Sequence, residues 1–107
     1  MSEEPLTKES FEPHVGSNFR VILDGKIVEL RLDQVTEYTQ FTAREVAADG
    51  TELGDRVPFS LAFSGSKELL LPDRIHTLFH PVMGELALFL KPYHEGPERY
   101  FYEAVFN

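Results

Sequence analysis

No cysteine occurs among the 107 residues, so a disulfide scaffold, a thiolate metal site and a cysteine nucleophile are all excluded. Tryptophan is absent too, which removes a side chain that often anchors a binding site. No apolar run approaches the roughly 18 residues that a membrane-spanning helix needs. The opening residues, Met1-Ser-Glu-Glu-Pro5, carry neither the basic nor the apolar region of a secretory signal, so a cytoplasmic protein is expected. Positive charge is scarce as well. Ten Lys and Arg face eighteen Asp and Glu, a formal net charge of −8, and the ten form no run. Phosphate-bearing partners are normally held by clustered Lys and Arg, so nucleic acid and anionic membrane are poor partners.

What is present is apolar and aromatic. Hydrophobic residues make up 42% of the chain, with nine Phe and four Tyr, enough to fill one modest core. The expected organisation is a flexible lead over residues 1–6 and a single β domain over 7–107. Thr7 or Ser10 can cap a short helix, with Glu9 and Glu12 at its positive end and Gly16 as its stop. Leu6, Phe11 and Val15 can share one face of it. Pro13 limits this helix to about two turns, and the segment can equally serve as a plug for one end of a barrel.

From Asn18 onward the period is two. Asn18–Leu23 and Ile27–Leu32 flank Asp24-Gly25, a pair that tolerates the positive φ angles of a tight hairpin turn. Val28, Leu30 and Leu32 face one way, while Glu29, Arg31 and Asp33 face the other. A further strand is expected around Phe41–Val46, ending at Ala48-Asp-Gly-Thr51. In Pro58–Gly65, Phe59, Leu61 and Phe63 alternate with Ser60, Ala62 and Ser64. Leu69, Leu70 and Leu71 are expected to pack beneath the following segment, and Ile75–His80 to form a short strand. The chain closes with a hairpin whose arms carry Leu86, Leu88 and Leu90, then Tyr100, Tyr102, Ala104 and Phe106, around the connector His94–Arg99. No internal repeat or low-complexity stretch is visible. The fold class is mainly β, a small antiparallel barrel or sandwich of about seven strands with a short N-terminal helical segment.

Chemistry-bearing patterns are sparse. His76 and His80 are four apart, but the His-Glu-x-x-His metal motif lacks its glutamate here and Pro81 follows at once. On a strand the two lie roughly 13 Å apart, too far to share one ion. His14 and His94 are expected to be solvent-exposed. Asp24, Asp33, Glu37, Asp49, Glu52 and Asp55 are possible acid–base groups, yet Asp24 and Asp49 each precede a turn glycine. The serines lack a nucleophile-elbow context, and Gly65-Ser66-Lys67 lacks the first glycine and the helix of a phosphate loop. No catalytic, cofactor-binding or metal residue is therefore expected. The last strand is unusual in being apolar on both faces, because Phe101 and Val105 oppose Tyr100, Tyr102 and Phe106. Phe89, Phe101 and Val105 are the candidate partner contacts.

Several segments together resemble a family of short bacterial domains of unknown function. They are Phe11–Gly16, Pro58–Phe63, Leu71-Pro72, His80-Pro81 with Gly84, the Leu86–Leu90 run with Pro92, and Tyr102–Asn107, and they cover nearly the whole chain. The resemblance implies a companion of phage-tail-like or tail-fibre genes, and it carries no catalytic residues. The function expected from all this is a non-enzymatic structural or protein-interaction module that meets a protein partner or a copy of itself. The rival expectation is a small-molecule-binding barrel with His76, His80 and Tyr93 as its polar contacts.

Overall fold

Six strands pair edge to edge into a closed antiparallel barrel in the computed structural model, which describes residues 6–37 and 58–106. The strands are β1 (Asn18–Leu23), β2 (Lys26–Glu37), β3 (Phe59–Ser66), β4 (Arg74–His80), β5 (Gly84–Glu95) and β6 (Arg99–Phe106). Around the ring their order is β1-β2-β3-β6-β5-β4, with β4 returning to β1. The expectation of about seven strands is corrected to six among the described residues. The additional strand read at Phe41–Val46 lies outside them.

Alternation decides which face turns inward. Val28, Leu30 and Leu32 of β2, Phe59, Leu61 and Phe63 of β3, and Leu86, Leu88 and Leu90 of β5 are all buried. Tyr102 and Ala104 of β6 join them, flanked by the partly buried Tyr100 and Phe106. These side chains fill the interior, as expected of a barrel this small. At Asp24-Gly25 both residues have positive φ, +52° and +78°, the pair of conformations a type I′ hairpin demands. The Ile22↔Ile27 and Leu23↔Lys26 pairs flank this turn.

The N-terminal segment forms one helical turn, α1 (Lys8–Phe11), and runs into a 3₁₀ turn over Glu12–His14. Thr7 and Ser10 bracket its start. The Thr7 amide donates to Ser10 Oγ at 3.1 Å, and the Ser10 amide donates to the Thr7 carbonyl at 2.9 Å. Lys8 reaches Glu12 and Glu37, both at 3.2 Å, and so ties α1 to β2. Phe11 packs on Phe59 and Phe106, with ring centroids 6.1 and 5.6 Å away, which makes the segment a plug at the barrel end. Leu6 and Val15 are exposed, so Phe11 alone of the expected helical face is buried.

One further expectation changes. Leu71 is fully buried and Leu69 packs at the core edge, but Leu70 points to solvent. On the opposite face of β3, Ser60 and Ser64 are buried as well. Arg99 covers Ser64, donating from Nε to its Oγ and from Nη2 to its carbonyl, each at 2.8 Å.

Candidate functional site

The outer wall of β4, β5 and β6 carries several large exposed apolar side chains. Ile75 and Phe89 are directly paired across β4 and β5 and stand 65% and 52% exposed. Two steps back along both strands from the Lys91↔Glu103 pair lie Phe89 and Val105, and Val105 is also 52% exposed. Ile75 and Phe89 are thus a direct pair, and Val105 lies on the neighbouring β6, two residues beyond the last β5–β6 pair, which places a cation and an anion beside them. Ile75 was missed in the sequence. The outward Ile75/Thr77/Phe79 alternation is visible there, but only the barrel shows that it adjoins Phe89.

Phe101 differs from the other two expected contacts. A register shift between Pro92 and His94 leaves Tyr93 as an extra residue on β5. Tyr93 and His94 then both pack on the Phe101 ring, with centroids 6.4 and 5.4 Å away. The apolar outer face of β6 thus divides, with Phe101 half covered by its own chain and Val105 open. Burial, then the nearby Glu103 and Asp33 carboxylates, push the Tyr93 hydroxyl above its ordinary pKa. At the hairpin end Lys67 holds Glu95 at 2.7 Å and the Gly96 carbonyl at 3.0 Å, and that ion pair lowers the Glu95 carboxyl.

The histidines sit elsewhere. His76 and His80 share the inner face of β4 and are buried. His76 Nε2 donates to the Pro72 carbonyl at 2.8 Å. His80 Nδ1 accepts the amides of Val82 and Met83 at 3.0 and 3.2 Å, so that nitrogen is unprotonated and the ring hydrogen is on Nε2. His80 Nε2 then donates to Ser17 Oγ at 3.0 Å, and Ser17 Oγ–H donates to the His14 carbonyl at 2.7 Å. A Ser–His pair has formed across 63 positions of sequence, which no local motif announces. It is wired in the direction opposite to a nucleophile, because the imidazole gives a proton to the hydroxyl instead of taking one. His14, expected in solvent, is half buried, its ring edge-on to His80 with centroids 4.6 Å apart, whereas His94 is exposed. Burial first, and His14 second, hold the His80 pKa below the ordinary imidazole value.

The other candidate groups have structural partners. Asp24 occupies the hairpin turn, Asp33 pairs with Arg31 at 2.6 Å, and Glu37 pairs with Lys8. Asp49, Glu52 and Asp55 lie outside the described residues. Tyr93 stands on the outer face while His76 and His80 point inward, so the three residues of the expected ligand site are not brought together. A surface depression of about 160 Å³ lies between Lys26–Glu29 and Ser66–Leu69, smaller than the about 300 Å³ at which ligand pockets usually begin. No helix among the described residues is long and apolar enough to cross a membrane.

A family model covers residues 6–106, from the plug through the last strand of the ring. The chain belongs to DUF6916, a domain of unknown function. The DUF6916 match takes in every element described above, so barrel and plug belong to one family unit. No curated protein and no solved structure matches the chain. The DUF6916 description carries no activity or partner, and function must be argued from the surface of the barrel itself.

Proposed function

We propose that this DUF6916 domain is a non-enzymatic protein-interaction module whose β4–β6 outer wall docks against another protein subunit. What supports this reading is the exposed, directly paired Ile75 and Phe89, with exposed Val105 on the next strand. Three large apolar groups held on a rigid sheet present contact area with little ordering cost, and Lys91 and Glu103 beside them provide a polar rim. The rival small-molecule barrel is not favoured, because its three polar contacts lie on opposite sides of the wall. An accessory subunit of a phage-tail-like particle is the context we favour, on the strength of the sequence resemblance alone. The partner is another protein or a second copy. With a net charge of −8 on each copy, self-association is expected to strengthen as salt is added.

The test is the double variant Ile75→Asp/Phe89→Asp. Both positions are exposed, so thermal stability should stay close to wild type. Sedimentation velocity and affinity capture from the native host should show that wild type self-associates or retains a protein that the variant loses. A folded variant that behaves like wild type in both assays would falsify the reading. So would a wild-type protein that stays monomeric and captures nothing.

A further inference from the structure

One imidazole joins the turn that follows it to the distant segment His14–Phe19. His80 ends β4, and its backbone pairs with Gly84 across the turn Pro81–Met83. Its Nδ1 accepts both inward-pointing amides of that turn, at 3.0 and 3.2 Å. Its Nε2–H reaches Ser17, which passes the contact on to the His14 carbonyl. Its ring packs tilted against Phe19 of β1, centroids 4.5 Å apart, and the edge of His14 closes another side. Only the neutral ring with hydrogen on Nε2 satisfies this arrangement. A proton on Nδ1 would replace the accepting lone pair with an N–H aimed at two other N–H donors.

The surroundings offer no compensation among the described residues. From the 3₁₀ turn, His14 faces the ring, and Glu12 beside it is engaged by Lys8 at 3.2 Å. From β1 comes the uncharged Phe19, while Arg20 is exposed and pairs with Glu29 at 3.8 Å. From the turn come Val82 and Met83, and from β5 Gly84 and the exposed Glu85. The one charge-bearing group against the ring is a second histidine, which repels an imidazolium.

We propose that His80 is an acid-sensitive clasp, neutral and closed near neutral pH, whose protonation at Nδ1 frees the Pro81–Met83 turn from the barrel mouth. The imidazole's lowered pKa, set first by burial and then by His14, places the event below the ordinary histidine value. In that window the open form binds one proton more than the closed form. The opening constant therefore rises about tenfold for each unit of pH lost, until the closed form also protonates.

The test uses the full chain. Nitrogen NMR of the imidazoles at neutral pH should show His80 Nδ1 without a proton and Nε2 with one. Amide exchange at Val82 and Met83, corrected for the intrinsic rate, should report opening that climbs with acid in the wild type. In His80→Asn the side-chain oxygen can accept the same two amides without titrating, so opening should be flat. His14→Gln should move the wild-type midpoint to higher pH, because one repelling group is gone. A protonated Nδ1 at neutral pH, or wild-type opening indifferent to acid, overturns the proposal. So does an acid response that disappears in His14→Gln. If His80→Asn does not fold, the nitrogen spectrum and the His14→Gln midpoint decide the matter between them.

Discussion

Tyr102→Phe removes one oxygen from the centre of the barrel, and its cost can be worked out from two atoms. Tyr102 and Leu71 are both fully buried, and the Leu71 amide donates to Tyr102 Oη at 3.0 Å. The ring itself loses nothing, since Phe fills the same volume. What is lost is the partner of a backbone N–H sealed from water, and such an orphan costs about 1–3 kcal/mol. With about 2 kcal/mol and an unfolding entropy of roughly 2.1 cal/mol/K per residue, the melting temperature should drop by about 9 °C. Urea and calorimetric melts would measure the loss, and amide exchange at Leu71 should accelerate with it. Tyr100→Phe is the control, because Tyr100 sits half buried at the core edge and keeps its ring beneath Lys67. It should fall within about 0.5 kcal/mol of wild type. Burial also pushes the Tyr102 pKa up, so above about pH 10 the unfolded chain loses its phenol proton first and stability falls as pH rises. Tyr102→Phe should show a smaller alkaline loss, with the raised Tyr93 hydroxyl contributing what remains. A Tyr102→Phe protein as stable as the control would mean that Leu71 finds another acceptor, and the reasoning would be refuted.

Glycine replacements should separate a rigid neighbour from a movable one. A Cβ at Gly65 would lie 2.6 Å from Leu30 Cδ2 and 3.3 Å from the Glu29 carbonyl, and Leu30 is fully buried, so Gly65→Ala should cost about 1–3 kcal/mol in urea melts. At Gly96 the Cβ meets the half-exposed Phe101 ring at 2.8 Å, and Gly96→Ala should cost less because that ring can swing outward; equal losses at the two sites would contradict this. In acid, the lowered His80 pKa means that the unfolded chain takes up a proton before the native one. Stability is then complete above the ordinary histidine value and declines as pH falls toward the folded pKa, by up to about 1.4 kcal/mol per unit in titrated melts. Among the barrel strands, amides at Arg20 and Val21 should exchange faster than those of β3 and β6, because β1 meets β4 at two paired positions whereas β3 meets β6 at eight.

Much of the barrel was legible because strand geometry is a local property. Period-2 alternation placed Leu86, Leu88 and Leu90 together, and Asp24-Gly25 marked its hairpin, without any knowledge of neighbours. The relations between distant strands were not legible. Nothing near Ser64 in sequence announces that Arg99 lies across it, and β3 pairs with β6 instead of its successor β4. Leu70 looks like its two neighbours, but only alternate residues of an extended segment can point at the core. Of the candidate contacts, Phe89 and Val105 could be read from their outward parity. Phe101 needed the extra residue at Tyr93, which reverses the facing pattern of β5 midway. The Ser17–His80 link depends entirely on how the ring closes.

The route of the chain has an order that its side chains do not repeat. β1-β2-β3 and β4-β5-β6 are each three-stranded meanders, and exchanging β1 with β4, β2 with β5 and β3 with β6 maps the ring onto itself. The middle strand of each half is twelve residues long and carries a register shift, at Leu32/Gln34 in one and Pro92/His94 in the other. Most backbone pairing is thus made within a half, between segments adjacent in the chain, and only two seams require distant parts to meet. The conformational search reduces to joining two sheets, which lessens the entropic burden of a closed six-strand topology. The long β3–β6 seam is the natural first join, and the short β1–β4 seam the last to close and the first to part.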